Sequence, residues 1–399
     1  MVKLNDIANE PRKLIKSTKF ARIFNINDKY AIKSICTDYI VAPHNHEVEK
    51  SILLKLRDAI EESSSKEVGS FNIIGLLDFG KNVTDEDEVE LLFNYYPMSL
   101  YELMRSQYKF SGHETDEPPR KFNPYYDLTS GTDKSATVEK KRLKYVNCFD
   151  VDKYAFRYML QISEGIQFIH SQNIIHRDIK PQNIMVDLET DLLKITDFGI
   201  SYDNDNLRQT IDEPQERKIT DVSTSIYKAP ELLLGVKNYS YAVDIWSLLI
   251  LVSQWFQKDT NMISTSGKPV CESRDDFYIP GMIDDGTQEG ENGSDIRLLL
   301  SIFSKFGYPK INDWKEVSEF GSEDAFVGMF GGNGDDKYVK YQSVESQCQL
   351  MESLLPRIGE LANPVVKEGI IRIMTQMVEY DSTRRITSVQ LVKELRSLQ

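Results

Sequence analysis

The stretch IIHRDIKPQNIMVD (174–187) sets Asp178, Lys180 and Asn183 within six residues of one another. Fourteen residues after Asn183 comes Asp197, in ITDFGIS, and far upstream Lys33 stands in the run KYAIKSI. Carboxylate and amide oxygens are hard ligands that suit a small divalent cation. Lysines bring positive charge to phosphate. Together these types fit chemistry at a phosphate, which asks a protein for positioning and charge neutralisation more than for covalent work. Taken singly, each has a plainer reading. Lys33 is then a solvated strand lysine, Glu49 a solvated helix charge, His176 a structural core histidine and Asp244 a helix N-cap.

The chain that must hold them has 399 residues, 40% hydrophobic and 28% charged, which reads as globular. A net charge of −14 argues against a general nucleic-acid binder, which needs a basic face. The four cysteines, Cys36, Cys148, Cys271 and Cys348, are widely and irregularly spaced, which suggests neither a zinc site nor a disulfide framework. A reducing compartment is expected, with no signal core in MVKLNDIANEPRK, and the cytoplasm and nucleus are the expected locations. The longest apolar run, IWSLLILVSQWF (245–256), is too short to span a bilayer and predicts a buried helix.

The first hundred residues are strand-like. ARIFNI and KYAIKSI flank the turn signal NDK, and IIGLLDFG and VELLFNYY are two more strands. Between them Val48, Ile52, Leu56 and Ile60 recur at helical spacing. From Leu100 onward helices dominate, interrupted by polar stretches at 109–150 and 257–295 that read as irregular. The order is a small β-rich lobe, a hinge near Asn94–Pro97, and a large helical lobe.

His176-Arg177-Asp178 with Asn183, then Asp197-Phe198-Gly199, then Ala229-Pro230-Glu231, with Lys33 upstream, resemble the eukaryotic protein kinase family over essentially the whole chain. The resemblance implies an α+β bilobal fold, with an N-lobe at 1–96 and a helical C-lobe at 97–399 carrying the two inserts. It implies ATP and Mg²⁺ as cofactors. In that family's terms Asp178 accepts the substrate hydroxyl proton, and Lys180, typical of Ser/Thr kinases, reaches the transferring phosphate. Asn183 and Asp197 take the metal. Lys33 meets the nucleotide phosphates, oriented by Glu49 rather than Glu47, which points off that helix face. Tyr95 and Tyr96 fall at the nucleotide hinge. Thr224 matches a threonine that bridges the catalytic Asp and Lys. Asp244 matches one that holds the catalytic-loop backbone. Arg385 matches one that pairs with Glu231, with Arg384 as its rival.

Two departures stand out. The family covers its phosphates with a Gly-rich loop about fifteen to twenty residues before the lysine, yet the first glycine here is Gly69. Aligned on Phe20, the three glycine positions fall on Lys16, Thr18 and Ala21. Side-chain donors there, including Lys19, are expected to replace backbone ones. Second, the arginines that gather a loop phosphate in cyclin-dependent kinases read Val48, Arg177 and Tyr202 here. One Arg is a poor dianion site, so Arg177 is expected to meet Asp212, Glu213 or Asp221. The enzyme is then active without its own loop phosphate, although Thr220 lies one residue from the activating position.

More narrowly, YAIKSI, PPRKFNPYYDL, DVSTSIYKAPELLLGVK, WSLLILVSQWFQ and EDAFVGMFG resemble the fungal monomeric kinases that activate cyclin-dependent kinases. That family also lacks the glycine loop. The resemblance implies a cyclin-dependent kinase as protein substrate, phosphorylated on its activation-loop threonine. It further implies a monomer with no cyclin subunit, no nucleic acid and no membrane. The alternatives are another cyclin-dependent-kinase-like signalling kinase and a pseudokinase scaffold. Lys16→Ala or Lys19→Ala is expected to raise KM for ATP in steady-state kinetics. Unchanged ATP kinetics in both would refute side-chain substitution.

Overall fold

The computed structural model describes residues 2–37, 41–62, 69–82, 87–113, 141–264, 277–287 and 293–399. The N-terminal region is a five-stranded antiparallel sheet of order β1-β2-β3-β5-β4. Its strands are β1 (Arg12–Ser17), β2 (Ala21–Ile26), β3 (Tyr30–Cys36), β4 (Leu76–Lys81) and β5 (Glu88–Asn94). Asn27 and Asp28, both at positive φ, lie with Lys29 in the three-residue turn between β2 and β3 that NDK predicts. One helix, α1 (His46–Glu62), crosses the sheet and buries Val48, Ile52, Leu53 and Leu56 together with one charge, Glu49. Asn45 caps it, accepting from the N–H groups of Glu47 and Val48.

After the hinge, β6 (Met98–Ser99) leads into α2 (Leu100–Ser106), capped by Ser99 with Glu102 returning the bond. Strands β7 (Tyr108–His113) and β8 (Lys141–Asn147) precede the long helix α3 (Val151–Ser171). Short strands β9 (Ile174–Ile175), β10 (Ile184–Asp187), β11 (Leu192–Ile195) and β12 (Tyr202–Asp203) frame the catalytic motifs. β10 lies between β11 and β6, and β12 pairs with β9. Helices α4 (Leu207–Asp212) and α5 (Pro230–Leu233) follow, then α6 (Ala242–Trp255), buried along its whole length as its apolar run predicts. Strand β13 (Asp259–Ser264) comes next. The lobe closes with α7 (Asp295–Phe306), α8 (Lys315–Phe320), α9 (Glu323–Phe330), α10 (Val344–Leu354), α11 (Pro364–Met377) and α12 (Ser388–Arg396). None of the described helices is long and apolar enough to cross a membrane.

The two polar stretches differ from the irregular segments expected of them. The flanks of the first form the β7–β8 pair, and β13 of the second joins β8 on its other side. Leu143 and Tyr145 alternate inward into the core while Lys144 between them pairs with Asp259 at 3.0 Å. A short strand with two buried residues is easily lost in a Lys-rich run. The middles of both stretches, with Cys271 and all of PPRKFNPYYDL, lie outside the described residues.

Arg385, not Arg384, meets Glu231, through two bonds of 2.7 and 2.9 Å, and neither side chain reaches solvent. Removing one partner of such a pair strands a buried charge and costs about 3–5 kcal/mol. Arg385→Ala is expected to lose that much unfolding free energy in urea titrations. The exposed Arg384→Ala should lose less than about 1 kcal/mol.

Candidate active site

Strand β3 and helix α1 bring Lys33 and Glu49 together. Lys33 Nζ lies 2.6 Å from Glu49 Oε1 and 2.8 Å from Asp197 Oδ1. Glu47 points away and binds Lys50 at 2.7 Å. Burial works to lower the Lys33 ammonium, but Asp197 and Glu49 outweigh it and hold Lys33 well above its usual range. Asp197, half-exposed at the cleft, is held far below the usual carboxylate range by Lys33. Burial pushes the more enclosed Glu49 up, against the pull of Lys33. Phe198 turns into the core and meets the His176 ring edge-on at 5.0 Å. Asp197 itself sits at φ 66, a conformation that costs a non-glycine residue and is held here by its surroundings.

The catalytic-loop motif hangs on Asp244, at the first turn of α6. Its Oδ2 accepts from the His176 N–H at 2.8 Å and its Oδ1 from the Arg177 N–H at 2.9 Å. His170 Nε2 adds a third bond at 2.9 Å, while its Nδ1 faces the Ser388 hydroxyl at 3.0 Å. Burial works to raise Asp244, and these donors hold it below its usual value. The plain N-cap reading does not hold, since Asp244 caps a loop rather than its own helix. His176 is structural too: Nε2 donates to Thr196 O at 3.0 Å and Nδ1 accepts from the Asp178 N–H at 3.2 Å.

Asp178 is thereby fixed beside three partners. The Thr224 hydroxyl donates to its Oδ1 at 2.8 Å, and Lys180 Nζ lies 2.7 Å from its Oδ2 and 2.7 Å from Thr224 Oγ1. Asn183 Nδ2 donates to Asp178 Oδ2 at 2.9 Å and to its carbonyl at 3.0 Å. The amide nitrogen is thus committed, which leaves Oδ1 as the oxygen Asn183 has for a cation. One carboxylate and one amide oxygen suit Mg²⁺, which keeps waters and takes its remaining ligands from phosphate. Among the described residues no cluster of three or more His, Cys, Asp or Glu offers a self-sufficient metal cage.

Arg177 turns the other way. Its guanidinium forks onto Glu213 at 2.5 and 3.2 Å and lies over the rings of Tyr202 (4.6 Å) and Tyr239 (5.5 Å). Glu213 is thus the carboxylate that meets Arg177, out of the three expected. Tyr202, where related kinases place an arginine, stacks under it instead. Buried Lys218 shares both rings. Burial and nearby Arg177 push its ammonium down to about 8.

The covering loop is less cooperative. Lys16 is exposed on β1 and joins none of these groups through a hydrogen bond or ion pair among the described residues. The Thr18 hydroxyl is engaged within the turn, bonding the Phe20 and Ala21 N–H groups and the Ala21 carbonyl. Ala21 opens β2. At the hinge, the Tyr95 N–H bonds to Lys29 O at 2.9 Å, and Tyr96 is partly buried, which raises its phenol. The supporting roles of His170 and Ser388 were not legible in the sequence. Each is remote in sequence from Asp244, and a lone His or Ser carries no spacing signal.

Residues 134–395 match the family described as protein kinase domain, and the chain belongs to that family. It is a serine/threonine protein kinase, and ATP is the phosphate donor of its family. The "Serine/threonine-protein kinase CAK1" of Saccharomyces cerevisiae is 42% identical over 99% of both chains. Human "Cyclin-dependent kinase-like 2" is 44% identical over 25% of this chain and 19% of its own. The solved CAK complex from Chaetomium thermophilum bound to ATP-gamma-S aligns with a TM-score of 0.56 at 18% identity, covering 98% of this chain and 91% of that one. That last likeness bears on the fold alone. The family match begins at residue 134, so the glycine-poor sheet lies outside it. Thr224→Ala removes the hydroxyl that joins Asp178 to Lys180 and leaves the Lys33–Glu49 and Lys33–Asp197 pairs in place. It is expected to lower kcat on the order of 10–100-fold with KM for ATP nearly unchanged.

Proposed function

We propose that this kinase transfers the terminal phosphate of ATP to the activation-loop threonine of a cyclin-dependent kinase. It acts as a cyclin-free monomer, in cytoplasm and nucleus, and needs no phosphate on its own loop. End-to-end similarity to the yeast CAK1 kinase carries the substrate assignment. The Arg177–Glu213 fork supports the independence from phosphorylation, because a built-in carboxylate occupies the arginine that a loop phosphate would otherwise engage.

In this mechanism Asp178 takes the proton of the incoming hydroxyl, held in place by Thr224 and Asn183. Lys180, already within reach of Asp178, neutralises the transferring phosphate. Lys33 binds the nucleotide phosphates, with Glu49 fixing its direction. Tyr95 and Tyr96 border the base. Asn183 Oδ1 and the Asp197 carboxylate would hold Mg²⁺, which when bound neutralises charge on the phosphate oxygens.

The test mixes purified, cyclin-free protein with ATP, Mg²⁺ and a catalytically dead cyclin-dependent kinase, with Asp178→Ala run beside it. Mass spectrometry maps phosphate on both proteins. Phosphate on the substrate's loop threonine, absent with the mutant, from an enzyme bearing none on its own loop, is the expected result. Transfer to short peptides but not to the folded kinase would favour a signalling role like that of the cyclin-dependent-kinase-like relatives. An enzyme active only when its own loop is phosphorylated would overturn the independence. No transfer to anything would leave a scaffold.

A further inference from the structure

A glycine-rich loop works by lending backbone N–H groups to phosphate. The turn between β1 and β2 has spent most of its own. The Thr18 N–H bonds to Ala21 O at 2.9 Å, and the Phe20 and Ala21 N–H groups bond to Thr18 Oγ1 at 3.3 and 3.0 Å. Instead the turn ends in an aromatic contact. The Phe20 ring stacks on the His44 imidazole with centroids 4.0 Å apart and planes 22° from parallel.

His44 sits at a junction. Its N–H bonds to Val41 O at 2.8 Å. The next residue, Asn45, caps α1 through its side chain and offers its N–H to Gly199 O at 3.4 Å. The ring is therefore fixed to the covering turn, while its neighbour Asn45 ties this point of the chain to the start of the Glu49 helix and to the segment after Asp197. The charged groups that act on it are Asp197, Lys33, Asp178 and Lys180, the same groups that face the transferring phosphate. Burial, the largest influence, lowers its basicity, so the ring is largely neutral and keeps one N–H to donate. Neither ring nitrogen has a hydrogen-bond partner among the described residues, although the ring is half-buried.

We infer that His44 positions the terminal phosphate of the bound nucleotide, its imidazole edge donating a hydrogen bond while Phe20 fixes the ring plane. A side chain on the helix approach thus replaces donors that the glycine-free turn has lost. The inference rests on ATP occupying the cleft.

The experiment compares binding of ADP and of a non-hydrolysable ATP analogue to the wild-type protein, His44→Ala and His44→Gln by titration calorimetry with Mg²⁺. His44→Ala should lose on the order of 10-fold in analogue affinity, the loss of one hydrogen bond to a charged group. ADP affinity should stay level, and His44→Gln, which keeps a donor, should recover much of the loss. An unchanged analogue-to-ADP ratio in His44→Ala would overturn the inference. Equal losses for both nucleotides would also overturn it, showing that His44 only supports α1. Failure of the wild-type protein to bind either nucleotide would remove the ATP premise itself.

Discussion

A carboxylate with no access to solvent organises the catalytic half of this kinase. Asp244 takes the N–H groups of two successive residues, His176 and Arg177, and a histidine from α3. A buried acid is costly unless its oxygens are filled by donors, and here the donors are the loop that must be shaped. Arg177 is pinned at φ 71, a conformation the backbone would not choose by itself. From that point the chain delivers Asp178 to one side and the Arg177 guanidinium to the other. Without Asp244 neither direction is defined.

The Arg177 side carries the loop that follows Asp197. Glu213 receives the guanidinium fork and also accepts the Ile219 N–H at 2.7 Å, so one carboxylate holds both ends of a bend. Tyr202 and Tyr239 sheathe the cations, and the Tyr202 hydroxyl bonds to Glu213 O at 2.8 Å. The Arg177 carbonyl accepts from Ser223 at 2.6 Å, one residue before Thr224 reaches Asp178. Loop order and catalytic geometry are therefore mechanically joined through bonds that involve no added phosphate.

The helical lobe and its motifs were legible because kinase chemistry fixes residue types at short spacings. HRD, Asn183 and DFG lie within a stretch that folds locally around β10 and β11, and an apolar run as long as α6 has few places to go but the core. Glu49 was legible from helix periodicity, which set it apart from Glu47. Other features rested on contacts between distant residues. Sequence narrowed the partner of Arg177 to three acids, but the choice of Glu213 depends on how the loop bends. The Phe20–His44 stack joins two aromatic rings that no motif connects. The Thr18 hydroxyl read as a donor to a ligand, whereas the turn uses it to close itself, a common competitor for Ser and Thr side chains.

The small sheet β7-β8-β13 couples two segments that look independent along the chain. β8 is the shared middle strand, and among the described residues β13 pairs with nothing else. The flanks of the two inserts are consequently held together by strand pairing. Loss of the first would leave β13 an open edge, prone to pairing with other chains, and loss of the second would expose β8 in the same way. A graft of either insert into another enzyme imports an unsatisfied strand unless its counterpart travels with it.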